Sequence, residues 1–130
     1  MALMQGKENL RFQRESASKL MGLPISRTDV KQIVKRYRLQ LQKMGIRPTR
    51  VLLYGSQATG TAHEGSDIDL IVISGDWEKY NRRQRLELLG IAAARILEPV
   101  QAQGFTPEEI KSQKVPSFWQ QIIKEQAIAI

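Results

Sequence analysis

The apolar positions Val30, Ile33, Val34, Tyr37, Leu41 and Met44 recur at helical spacing, while Lys31, Lys35, Arg36, Arg38 and Lys43 fall on the opposite side. This pattern predicts an amphipathic helix over residues 27–44. Ser26 followed three residues later by Asp29 resembles a capping box at its start, and Gly45 stops it. Beyond Pro48, Arg50 to Tyr54 reads as a short buried strand. A loop rich in Gly, Ser and Thr spans 55–66, and a second strand runs from Asp67 to Ile73. Helical spacing returns over 78–97, with Leu86, Leu89, Ala93, Ile96 and Leu97 on one side and Arg82, Arg83, Arg85 and Glu87 on the other. Glu98 to Phe105 reads as a third strand, since Val100 and Ala102 alternate with Gln101 and Gln103; Pro99 limits it to a strand start or an edge. Thr106, Pro107 and Glu109 form a further helix start, Ser117 to Glu125 a closing helix, and the final AIAI a short strand.

The order of elements predicts a mixed α/β (α+β) fold, a small mixed sheet with helices packed on one face. Residues 25–130 form the expected domain. Residues 1–24 are weakly patterned and read as an extension, with Leu10, Ala17, Leu20 and Met21 compatible with one short helix. At 130 residues, 42% hydrophobic and 25% charged, the chain has room for one domain with its own core. It contains no cysteine, which excludes disulfides and cysteine-based zinc sites. The longest purely apolar run, Leu70 to Ile73, is far short of the ~20 residues that cross a bilayer. No secretory leader pattern is visible, so a cytoplasmic location without membrane association is expected.

The formal charge of +7 is concentrated at the front, where residues 1–50 carry 12 Lys or Arg against 3 acids. Such a basic face attracts anionic partners, and nucleic acid along the helix at 29–44 is one of them. From charge alone, a solvated helix face is the commoner explanation.

The sequence YGSQATGTAHEGSDIDLIVIS, residues 54–74, carries the candidate chemistry. Alternation along a strand puts Asp67 and Asp69 on one face and Ile68, Leu70 and Val72 on the other, with the two carboxylates' Cα atoms ~6.6 Å apart. Carboxylates so placed converge on divalent ions, and hard oxygen ligands favour Mg2+ or Mn2+. Gly55 and Ser56 end the preceding strand, where a glycine lets backbone N–H groups approach phosphate oxygens and the serine adds a hydroxyl. A lone Gly-Ser or a lone Asp-x-Asp is usually a turn or a cap. Their conjunction, two apolar strands joined by a loop with one motif at each end, is far rarer.

These residues, GSQATG followed by SDIDLIV, closely resemble the G-S-x-A-x-G and S-D-x-D-L pattern of the minimal nucleotidyltransferases, members of the DNA polymerase beta-like superfamily. The core match covers Tyr54 to Ile73, with a looser likeness over 29–125. The resemblance implies a polymerase beta-like nucleotidyltransferase fold and transfer of a nucleoside monophosphate, AMP from ATP, to a hydroxyl acceptor. It implies that Gly55 and Ser56, with Ser66, bind the nucleotide, and that Asp67 and Asp69 hold the metal. A third carboxylate on a following strand completes the family's site, and two alignments compete for it: one puts Gln101 there, the other Glu98, which is preferred as the only acid near the predicted third strand. Thr59 stands where many members have Arg. The small size and lack of an acceptor domain point, through the resemblance, to a separate helical HEPN-type partner in a toxin–antitoxin module. The competing expectation is a catalytically degenerate module that masks such a partner.

Overall fold

The computed structural model describes residues 27–63 and 65–130. In chain order the elements are helix α1 (Arg27–Lys43), strand β1 (Arg50–Tyr54), the single turn α2 (Ser56–Thr59), strand β2 (Ile68–Ile73), a 3-10 helix (Gly75–Lys79), helix α3 (Arg82–Ile96), strand β3 (Val100–Phe105), helices α4 (Pro107–Lys111) and α5 (Ser117–Glu125), and strand β4 (Ile128–Ala129). The four strands form a mixed sheet in the order β3-β2-β1-β4. β1 runs antiparallel to both neighbours, and β2 and β3 are parallel, joined by α3 as a crossover. The predicted capping residue Ser26 and the extension 1–24 lie outside the described residues.

Local chemistry sets the boundaries. Gly45, at φ 88°, ends α1, and the Ile46 N–H reaches back to the Leu41 carbonyl at 2.9 Å to close the turn. The second helix begins at Arg82 and not at 78, because Asn81 and Gln84 form a reciprocal capping box, each side chain accepting the other's backbone N–H at 2.9 Å. The residues ahead of it are taken up by the 3-10 turn, whose Trp77 is fully buried and donates its indole N–H to the Val72 carbonyl at 3.0 Å. Thr106 and Glu109 form the second capping box as expected.

The sheet buries both faces unequally. Val51, Leu53, Ile68, Leu70, Val72 and Val100 pack against α1 and α3, where Tyr37 is buried and donates to the Leu89 carbonyl at 2.8 Å. Leu52, Ile71, Ile73 and Phe105 face the other way and are covered by Val115 and by Ile122 of α5. The two long helices therefore share one face, as predicted, and α5 shields part of the other, which the sequence pattern did not reveal. This double cover explains why β2 reads as a continuous apolar run: only Asp69 in that strand is not buried. Among the described residues no helix is long and apolar enough to cross a membrane.

One polar cluster ties the crossover together. Arg85, buried in α3, donates Nε to the carbonyls of Trp77 (3.1 Å) and Tyr80 (3.0 Å), and Nη1 to the Gly104 carbonyl (3.2 Å) and to Glu109 (2.7 Å). A solvated arginine face, as the helical pattern suggests, is thus wrong for this residue. Burial pushes the Glu109 carboxyl upward, but the hydrogen bond from Arg85 and that from the Thr106 N–H outweigh it and hold the carboxyl below its ordinary value. Glu109→Ala leaves Arg85 buried without its counter-ion, and chemical denaturation should register a loss of about 3 kcal/mol. Because the folded carboxyl titrates lower than the unfolded one, the wild-type advantage over this variant should be full above ~pH 5 and vanish as acidification passes through the lowered value.

Candidate active site

The antiparallel register of β1 and β2 sets Tyr54 opposite Asp69, so the chain leaving β1 at Gly55 passes beside the start of β2. Gly55 sits at φ 70°, ψ −155°, a backbone region that side-chain-bearing residues rarely occupy. A Cβ on this glycine would overlap the Asp69 Oδ2. Both conformation and space therefore require glycine here, and the Gly-Ser of one motif is in contact with the second aspartate of the other. Ser56 opens α2, and its carbonyl accepts from the N–H groups of Gly60 and Thr61.

Asp69 lies between the buried Ile68 and Leu70 and so points to the face away from α1 and α3. Asp67 stands just ahead of β2 and is exposed; the strand begins at Ile68 rather than at Asp67. Burial pushes the Asp69 carboxyl above its ordinary value, and the negative charge of Asp67 pushes it further the same way. The Tyr54 hydroxyl rises to about 12, first through burial and then through the Asp69 charge. Neither aspartate forms an ion pair with a Lys or Arg among the described residues. Two like charges held together without a cation fit a divalent metal with oxygen ligands, which would neutralise both.

The other expected residues divide. The Ser66 hydroxyl accepts the His63 N–H at 2.9 Å, closing the turn that delivers the chain to Asp67. Thr59 folds back on its own loop, bonding Gly55 O at 3.3 Å and Thr61 Oγ1 at 2.8 Å. Glu98 is not brought to the aspartates. The chain leaves α3 through Leu97 in a left-handed conformation (φ 57°), and the Val100 N–H bonds the Glu98 carbonyl at 2.8 Å in a tight turn around Pro99. β3 consequently starts at Val100, and the Glu98 carboxylate, with only 2% of its side chain exposed, is 3.4 Å from Arg36 of α1. That is the helix-covered side of the sheet. The parallel register of β2 and β3 pairs Asp69 with Gln101, so the residue beside the aspartate on the open face is an amide. Among the described residues no group of three His, Cys, Asp or Glu is placed to hold a metal.

Sequence reading missed the aromatic floor of this face. Tyr54 meets Trp119 of α5 edge-on at 5.5 Å between ring centroids, and Trp119 also contacts Phe118 (5.0 Å) and Phe105 (6.3 Å). The period-2 alternation of Leu52 and Tyr54 held the signal for Tyr54; nothing local showed that Trp119 returns to it. Of the α3 arginines, Arg82 lies over the Phe105 ring, 5.7 Å from its centroid, and Arg83 pairs with Glu87 at 3.1 Å on the surface.

The chain belongs to the nucleotidyltransferase domain family, whose profile matches residues 31–125. No curated protein sequence matches it significantly. Its fold is similar to that of a Sulfolobus solfataricus protein assigned to the nucleotidyltransferases, with 16% identity over 77% of each chain and a TM-score of 0.51. It is similar also to a chain of a toxin–antitoxin complex solved with AMP-PNP, with 23% identity, 78% of this chain and 71% of that one covered, and a TM-score of 0.53. A mutant of the toxin–antitoxin complex MntA–HpeT, in which two aspartates are replaced by glutamates, gives 21% identity, 77% and 70% coverage, and a TM-score of 0.51.

The burial of Asp69 beside the Asp67 charge has a measurable signature. Since folding raises the Asp69 value, ionising that carboxyl weakens the fold as pH rises from the unfolded to the folded value. Asp69→Asn should therefore melt at a higher temperature than wild type in chelator at neutral pH, and the difference should disappear below ~pH 4, where both forms are uncharged.

Proposed function

We propose that this domain transfers AMP from a metal-bound ATP to a hydroxyl acceptor, and that the acceptor belongs to a separate helical, HEPN-type protein paired with it as toxin and antitoxin. The observation that carries the reading is the Asp69 carboxylate seated against Gly55 with Asp67 beside it and, among the described residues, no cation of the protein to pair with either. A divalent ion held by Asp67 and Asp69 would neutralise phosphate charge during transfer. Gly55 and Ser56 bind the triphosphate beside the aspartates, the glycine allowing close backbone approach and the serine donating its hydroxyl. Ser66 supports the same subsite by shaping the loop. The acceptor oxygen bonds to the α-phosphorus, the bond from that phosphorus to the oxygen bridging to the β-phosphate breaks, pyrophosphate departs with the electron pair, and the acceptor's proton passes to solvent.

The outer side of α3 supports a protein partner: it exposes Leu86, Ile91 and Leu97 alongside the small residues Gly90 and Ala94, apolar area that a partner helix would cover. The toxin–antitoxin complexes with a similar chain supply the context. Gln101 beside Asp69 favours a second reading, a module that binds nucleotide and masks its partner without transfer. In that case Asp69→Asn should keep full antitoxin action in cells while partner binding is unchanged; under the first reading it loses it.

Thermal unfolding with Mg2+ and each of the four nucleoside triphosphates checks the site itself. ATP with Mg2+ should stabilise the wild type by about 2.7 kcal/mol at a hundredfold excess over its Kd. Asp67→Asn/Asp69→Asn should show no Mg2+-dependent shift, and an equal shift in both proteins would refute the assignment.

A further inference from the structure

We infer that Gln101 limits this site to a single divalent cation, the one carried by the triphosphate, so that no second ion is held on the acceptor side. The inference rests on the nucleotide-and-metal reading of Asp67 and Asp69, and goes beyond it by assigning the number of ions and the residue that sets it. Two-metal phosphoryl transfer needs ligands enough to hold ions ~3.5–4 Å apart and charge enough to keep them there. Asp69 and Gln101 are register partners on adjacent parallel strands, ~4.8 Å apart, and register partners project from the same face. Gln101 on one side, with Tyr54 on the other, is thus placed beside Asp69, and of the two it is the one whose position a carboxylate could fill.

An amide is neutral at every physiological pH. Its oxygen is a weaker ligand for a hard cation than a carboxylate, and its nitrogen repels one. No other acid among the described residues compensates: Glu98 is turned to the opposite side of the sheet and held by Arg36, and no three acids or imidazoles gather among them. Two carboxylates balance one divalent ion. Among the described residues a second has no further carboxylate, leaving water and phosphate to hold it. The position itself tolerates charge, because Gln101 is exposed on its strand and Glu is the same size.

The test counts Mn2+ bound to the full chain at saturation with a non-hydrolysable ATP analogue, by electron paramagnetic resonance and calorimetry, in wild type, Gln101→Glu, Glu98→Gln and Asp69→Asn. One Mn2+ per bound nucleotide is expected in wild type and in Glu98→Gln. Two are expected in Gln101→Glu, the second tightened by roughly tenfold or more, since ligand charge and its support tune affinity on that scale. Circular dichroism establishes that each variant is folded. Two ions in wild type, both lost in Asp69→Asn, would overturn the single-ion assignment and leave the nucleotide reading standing. One ion in a folded Gln101→Glu would overturn the role of this residue. If wild type binds neither Mn2+ nor nucleotide, or Asp69→Asn binds both as well as wild type does, the underlying reading of the aspartates fails and the inference falls with it.

Discussion

The contact between Gly55 and the Asp69 carboxylate is the constraint from which the site follows. It joins two motifs that lie fourteen residues apart in sequence, and it exists only because β1 and β2 pair in the register that sets Tyr54 opposite Asp69. Any side chain at 55 would displace the carboxylate, and a shift of the register by one residue would turn Asp69 into the helix-covered core. The loop between the strands can vary within these limits; its ends cannot. Folding the sheet therefore brings this glycine and this acid together in one event.

Around that contact the protein accepts an electrostatic cost. Burial at the rim of an apolar sheet penalises the ionised Asp69, and the Asp67 charge adds to that penalty. Elsewhere the fold treats buried charge differently: Arg85 is engaged through Nε and Nη1 by three carbonyls and Glu109, and Glu98 is tied to Arg36, whose guanidinium also reaches the Ile96 carbonyl at 2.7 Å. Those charges are met within the chain, whereas among the described residues neither Asp67 nor Asp69 pairs with a Lys or Arg, the contrast that makes them candidates for a ligand site.

The elements with strong local signals were legible in the sequence. The α1 stripe, strands β1 and β2 to within about a residue, and the Thr106–Glu109 cap stand where the pattern puts them, since periodicity and capping chemistry act over a few residues. The identity of the residue beside Asp69 was not legible. Whether Glu98 or Gln101 neighbours Asp69 depends on where the chain leaves α3, and that is decided by Leu97 adopting a left-handed turn and by the bond across Pro99. A register choice between parallel strands has no local signature. The burial of Arg85 and the seating of Trp119 on Tyr54 depend likewise on contacts between distant segments, and an arginine-rich helix face or a lone tryptophan gives no hint of them.

The most direct test is to place the ion. Amide resonances of the folded chain would be followed while Mn2+ is added at substoichiometric levels together with a non-hydrolysable ATP analogue. The amides of Gly55, Ser56, Asp67, Asp69 and Gln101 should broaden first, while that of Arg36 on the helix-covered side persists longer. Early broadening at Asp76 and Glu78, or at Arg36, with the Gly55 and Asp69 signals intact, would contradict this placement.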